Sequence, residues 1–406
     1  MSLTESTQTE QHGFVAHSDG GWDAEAAAQG VPVQTRSARF TSTQVDDFEK
    51  VAGREAQWKF TPVSKLDTLL NGTLDGSRVP LEVAEVSGVT SEWIASDDVR
   101  IGRAGQPEER AAAAAWTGFE EAHLLTVSSE ESTTVTVHRT ALGSNARAAH
   151  TVIEAKPNSR GVVILENSGD AHLTENLEIV VGDGADLTVV SVQEWSDSAL
   201  HVASHHASVG RDASLKHIVV SLGGEVVRIN PSIHLDHEGA NGEAYGAYFA
   251  DAGQHLEQQV YMDHNAPHTR SRVNYKGALQ GEGARTVWIG DVLIRRNATG
   301  TDSYEQNRNL VLSEGTRADS IPNLEIETGD IEGAGHASTT GRFDDEHIFY
   351  LSSRGISEEE ARKLVVQGFL LEVIQQIGNE PTEERLREAI EAELEQAPGM
   401  RAAVIG

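Results

Sequence analysis

Between Thr133 and Glu327 the chain is written in short β-type runs, and no helical segment of any length interrupts them. TVTVH, GVVILEN, LEIVVG, LTVVSVQEW, LKHIVVSL, VRINPSIHL, QQVYMDH, TVWIGDVLI, NLVLSE and NLEIE follow one another. Turn signals of the types Gly-Asp-Gly, Gly-Gly, Asn-Pro and Gly-Glu-Gly separate them. A β-α-β architecture would need helical crossovers between strands, and there is no room for them. The turns also recur. Gly184-Ala185, Asp212-Ala213 and Gly239-Ala240 stand 28 and 27 residues apart, the scale of one coil of a parallel β-helix. The same turn type returns at Gly283-Ala284 and Arg317-Ala318 with less regular spacing. A β-sandwich would supply strands of similar length, but the recurrence favours a solenoid. Aromatic residues make up only 5% of the chain while glycine numbers 38, a balance that suits repetitive β-structure.

Composition narrows the chemistry. There is no cysteine, which removes disulfides, thiol redox chemistry and thiolate metal sites together and agrees with a cytoplasmic location. Lys and Arg number 32 against 63 Asp and Glu, a formal charge of −31, so binding to nucleic acid or an anionic membrane is not expected. No apolar run reaches the roughly 20 residues of a membrane span, and the polar opening MSLTESTQTEQHGF does not read as a secretory signal. No Gly-Lys dipeptide occurs, so no Walker A loop is present. Gly-x-Ser-x-Gly and His-Glu-x-x-His are also missing. Gly182-Asp183-Gly184 lacks the helix that a dinucleotide site requires.

Four segments emerge: a polar arm over 1–35, an N-terminal helical region over 36–130, the β-helix core over 131–335 and a C-terminal helical region over 336–406. In TQVDDFEKVAGREAQWKF the spacing of Val45, Phe48, Val51 and Ala52 predicts a helix from Thr43 that Pro62 stops. Trp58 and Phe60 would anchor this region on the body. Ser357 with Glu360 forms a capping box. Ala361, Leu364, Val365 and Gly368 share a helical face behind it, and Phe369, Leu371, Val373 and Ile374 broaden that face as the helix runs to Ile377. A second helix from Thr382 carries a narrow stripe of Leu386, Ile390 and Leu394.

Histidine, with seventeen copies, is the remaining soft-leaning ligand. His201/His205/His206, His234/His237 and His264/His268 form clusters that read chiefly as structural. His336 differs, because Gly333-Ala334-Gly335 and Ala337-Ser338 strip bulk from both sides and leave the imidazole exposed, as a ligand or a proton carrier. Glu325, Glu327, Asp330 and Glu332 lie just upstream as weaker candidates for hard ligands.

The run SIPNLEIETGDIEGAGHASTTGRFDDEHIFYLSSRGI (320–356) resembles the C-terminal signature of the SufB/SufD family, scaffold subunits of the SUF iron–sulfur assembly machine. GREAQWKFTPVSKLDTLL (53–70) and DHNAPHTRSRVNYKG (263–277) are similar to further family stretches. The resemblance implies a right-handed parallel β-helix flanked by helical regions, and a non-catalytic subunit of an ATP-driven complex. It implies pairing with SufB through the β-helix and docking of the SufC ATPase on Leu364, Val365, Phe369, Leu371 and Val373. No cofactor would be permanently bound; a nascent cluster would form at the SufB interface with His336 handling iron, transiently as a ligand, or protons. Because clusters are normally held by thiolates, the absence of cysteine points to the SufD branch. Many members of that branch carry a cysteine just before the matching histidine, where this chain has Gly and Ala. An uncovered edge would also favour a homodimer of the chain alone. The alternatives are a SufB-like scaffold and, from another class, a β-helix polysaccharide lyase or hydrolase.

Overall fold

The computed structural model describes residues 39–342 and 345–396, so the predicted polar arm lies outside the described residues. From Glu121–Val127 onward, successive strands alternate between two nine-stranded sheets, so each pairs with the next but one in sequence. Apart from the antiparallel pairs Glu82–Val83 with Thr133–Thr140 and Val89–Ala95 with Glu121–Val127, the pairing is parallel. This is the parallel β-solenoid that the turn recurrence predicts. Its period is visible in the register, where Asp186 faces Ser214 and Ser214 faces Asn241.

One corner explains the first three recurring turns, whereas Gly283-Ala284 lies on a second corner with Gly253 and Gly315, and Arg317-Ala318 opens a strand. Asn158, Gly184, Asp212, Gly239, His268 and Gly300 all take positive φ and stack coil upon coil. The Gly184 N–H donates to the Arg211 carbonyl, the Asp212 N–H to that of Glu238, and the His268 N–H to that of Thr299. Glycine, Asp and Asn are the residues that tolerate this conformation. The next residue in each coil (Ser159, Ala185, Ala213, Ala240, Thr269, Thr301) is small and fully buried. The Gly-Ala and Asp-Ala pairs are therefore a left-handed corner followed by a side chain small enough to enter the solenoid.

Three layers of packing result. The interior is filled by Val, Leu, Ile and Ala from both sheets, with Tyr248, Tyr275 and Trp288 near the C-terminal end. Close-packed glycines make room for these rings: a Cβ on Gly277 would sit 2.0 Å from Tyr248 Cε2, and one on Gly246 2.1 Å from Tyr275 Cδ1. The interior is not wholly apolar. Arg139 donates to Glu175 at 2.6 Å and His201 Nε2 to the same carboxylate at 2.9 Å, all three side chains being buried.

The N-terminal region covers the outer face of one sheet. Helices α1 (Asp67–Asn71) and α2 (Arg110–Gly118) lie here, but so do the strands Val89–Ala95 and Glu121–Val127, so the region is mixed rather than helical. The helix expected from Thr43 is only a 3-10 turn over Val45–Asp47. Tertiary contacts override the local periodicity, since Arg110 takes the carbonyls of Val45 and Phe48 at 2.9 and 2.7 Å. Gly53 also turns with φ of +77°. Trp58 anchors the segment as expected and is fully buried.

The other sheet is covered by the C-terminal helices. After α3 (Asp345–Ser353) come α4 (Glu358–Ile374) and α5 (Glu380–Gln396). Ser357 caps α4 by accepting from the Glu360 N–H at 3.2 Å. The Asn379 side chain accepts from the Thr382 N–H and hydroxyl, so the second helix starts two residues before Thr382. Val366, Leu370, Val373, Ile374 and Ile377, with Leu386, Ile390 and Leu394, pack on Ile164, Val190, Val192, Ile218, Val220 and Phe249 of the sheet. Each such buried aliphatic side chain contributes about 1.5–3 kcal/mol. The apolar stripe of α5 is therefore spent on the solenoid itself.

Candidate functional site

The C-terminal end of the solenoid carries no further coil. Arg317–Ile326 and Ile331–Gly341 are the last strands of their sheets, each paired on one side only. His336 stands on the second of these, so the boundary expected at 335/336 falls inside a strand. Its partner in register is Glu305, on Thr301–Val311. Partners in parallel register point to the same side of a sheet. Glu305 points inward: a Cβ on Gly290 would meet its Oε2 at 2.4 Å and the Trp288 ring at 2.3 Å. His336 therefore looks into the mouth of the solenoid, with its side chain 45% exposed above a carboxyl only 1% exposed.

His336 Nδ1 lies 3.8 Å from Glu305 Oε1. Neither oxygen of Glu305 has a hydrogen-bond partner among the described residues. Burial, reinforced by the charge of Asp291, pushes the Glu305 carboxyl up to about 8. The terminal coil is tied to the interior by a run of hydrogen bonds. Ser338 donates to Ser320 at 2.8 Å, Ser320 to Asn307 Oδ1 at 2.7 Å, and Asn307 Nδ2 to the Tyr248 hydroxyl at 2.8 Å. Around His336 the backbone is bare, as the sequence implies; nothing would touch a Cβ on Gly333, and Gly335 meets only the half-exposed Tyr304 ring. An accessible imidazole at an open end, backed by a buried carboxyl, can bind a metal ion or carry a proton.

The other histidines are placed differently. His201 is held by Glu175 and Gln193, and His205 Nδ1 meets His217 Nε2 at 2.9 Å. His264 lies between the Thr269 and Ser271 hydroxyls at 2.8 and 2.9 Å, while His268 occupies the left-handed corner. His234 pairs with Asp263 at 3.2 Å, and His237 is exposed in the following turn. No group of three potential metal ligands occurs among the described residues. The upstream carboxylates do not converge on His336. Glu327 accepts from the Arg296 N–H at 3.1 Å, and Glu332 is an exposed residue of the terminal strand, at the shift in its register.

The five helical residues separate into two groups. Val373 is wholly buried against the sheet and belongs to the protein's own core, a correction to its expected place on a docking face. Phe369 and Leu371 are half-buried there too, Phe369 under Lys276 Nζ at 4.7 Å from the ring centre. Val365 is half-buried and Leu364 is 40% exposed. Sequence reasoning missed Phe349 and Tyr350 of α3, which are 75% and 57% exposed. The apolar run Ile348-Phe349-Tyr350 was their only signal. It also missed Glu305, which sits in a strand polar on both faces.

The family model described as "SUF system FeS cluster assembly, SufBD core domain" matches residues 137–369, which takes in most of the solenoid, His336 and most of α4. The chain belongs to the SufBD family. It is 45% identical over 380 residues to an iron–sulfur cluster assembly SufBD family protein of Mycobacterium tuberculosis, covering 91% of this chain and 96% of that one. A Mycobacterium leprae SufBD family protein is 46% identical over 365 residues, with 87% and 93% covered. A second SufBD family protein of M. tuberculosis is 30% identical over 223 residues, 55% of this chain and 26% of that one. SufBD membership makes this an iron–sulfur cluster assembly protein and leaves no support for the polysaccharide lyase. Among the described residues, no helix is long and apolar enough to cross a membrane.

Proposed function

We propose that the chain is the SufD-type subunit of a SUF assembly complex, without catalytic chemistry of its own, working in the cytoplasm. It pairs with a SufB-type subunit at the open end of the solenoid. Phe349, Tyr350 and Leu364 take part in docking the SufC ATPase, whose ATP-driven dimerisation reshapes the pair. His336 contributes from this side to the place where iron and sulfide meet, the nascent cluster being cargo rather than a resident cofactor.

The observation that carries this reading is a single accessible imidazole on the terminal strand of a chain that has no thiolate to offer. A cysteine-free member needs a partner to supply sulfur ligands, and the unpaired terminal strands are where a second solenoid can join. That M. tuberculosis has two SufBD proteins, one similar to this chain over nearly its whole length and one over about half, suits two related subunits.

Co-expression with SufB and SufC partners tests it. One SufB, two SufC and one copy of this chain should elute together. His336→Ala should leave that assembly intact and depress cluster formation. A chain that ignores both partners sinks the assignment, and full cluster yield from His336→Ala removes the histidine from the mechanism.

A further inference from the structure

Glu305 has no structural explanation within its own coil. A buried carboxyl without a hydrogen bond is among the costlier things a protein can hold. Elsewhere in this molecule such groups are met by donors. Glu175 has Arg139 and His201, Glu257 has Arg228 and Thr61, and Asp263 has Arg295 and His234. Glu305 lies against Gly290 and the Trp288 ring, with Asp291 adding only repulsion. Its parallel partner across the ladder is His336, and Nδ1 is the imidazole nitrogen that faces it. At 3.8 Å the contact is just longer than a direct hydrogen bond, a gap that a small rotation of either side chain closes.

We propose that Glu305 is the positioning residue for His336: from inside the solenoid its carboxyl group engages Nδ1, fixes the ring orientation and turns Nε2 toward whatever the terminal coil receives. Imidazoles that act as ligands commonly have their second nitrogen held in this way, and the held nitrogen decides which one is free. The inference rests on the reading of His336 given above and deepens it. It also explains the geometry around the pair. Gly290 leaves the space that the carboxyl fills.

The test uses the full chain with Glu305→Gln, which keeps the shape, and Glu305→Leu, which removes the polar group. Three quantities are read: thermal stability, the tautomer ratio of His336 from imidazole nitrogen shifts assigned with His336→Ala, and cluster formation in the co-expressed complex. A residue kept for function at a cost in stability should give an unfolding temperature that holds or rises in Glu305→Leu. The tautomer ratio of His336 should lose its bias, and cluster formation should fall about tenfold or more. An unchanged tautomer ratio in both variants overturns the proposal. So does a loss of cluster formation that merely follows a loss of stability, since a structural carboxyl would give that. If His336→Ala proves harmless to cluster formation, the functional reading of the site fails, while the tautomer response still decides whether Glu305 governs the ring.

Discussion

Arg228 offers the sharpest test of how the N-terminal region is held to the solenoid. It projects from Val226–Leu235 and is fully buried. Its guanidinium donates to Glu109 at 2.7 and 2.8 Å, to Glu257 at 3.1 Å and to the Gln57 carbonyl at 3.2 Å, and it stacks 3.9 Å from the Trp58 ring centre. Burial raises the Glu257 carboxyl, but the His255 hydrogen bond and the Arg228 charge outweigh it and bring the group down to about 2 from an ordinary 4.5. That lowering corresponds to about 3 kcal/mol of stability. Because the folded value is depressed, the contribution is present above about pH 4.5 and disappears as pH falls toward 2. Arg228→Met keeps most of the volume and strands two buried carboxylates, so it should cost about 3–5 kcal/mol. In a thermal scan of a chain this long that is about 5 °C, and limited proteolysis should find the stretch 44–62 first. The triple variant Arg228→Met/Glu109→Gln/Glu257→Gln removes the stranded charges and should recover at least half of the loss. A cost below about 1 kcal/mol for the single variant, or a triple variant no better than the single, would refute the claim that this charge cluster clamps the region.

Two further outcomes follow from the interior. Burial holds His264 and His217 down at about 4. Their folded values lie below the ordinary 6.5, so stability should fall as pH drops from about 6.5 to 4, by about 3 kcal/mol for each group. His264→Gln should flatten that slope in urea titrations at pH 4–7, and an unaltered slope would count against a neutral buried His264. Gly277→Ala places a methyl group 2.0 Å from Tyr248 Cε2, so it should destabilise by about 1–3 kcal/mol or more; an unchanged melting temperature would show that the ring can move aside.

How legible the molecule was differs from region to region. The corner turns were readable because the positive-φ position and the small buried residue after it repeat with the coil. The capped helix at Ser357 was readable because its signal is local. The helix expected at Thr43 failed for the opposite reason, its carbonyls being claimed by Arg110 from far along the chain. Val373 looked like part of a broad free face, yet periodicity cannot say which part of such a face the sheet will cover. His336 was legible through the small residues beside it. Glu305 was not, because Thr301–Val311 alternates polar with polar and gives no hint of which side faces in.

From sequence alone came the β-solenoid, the absence of thiol chemistry and an exposed histidine near its end, because each is written in local pattern or composition. The tertiary structure decided what stands behind that histidine. Glu305 and His336 are 31 positions apart, yet parallel register puts them side by side on one inward face. Register is a property of the stacked coils together, set by how every inward residue packs, and no single strand carries it.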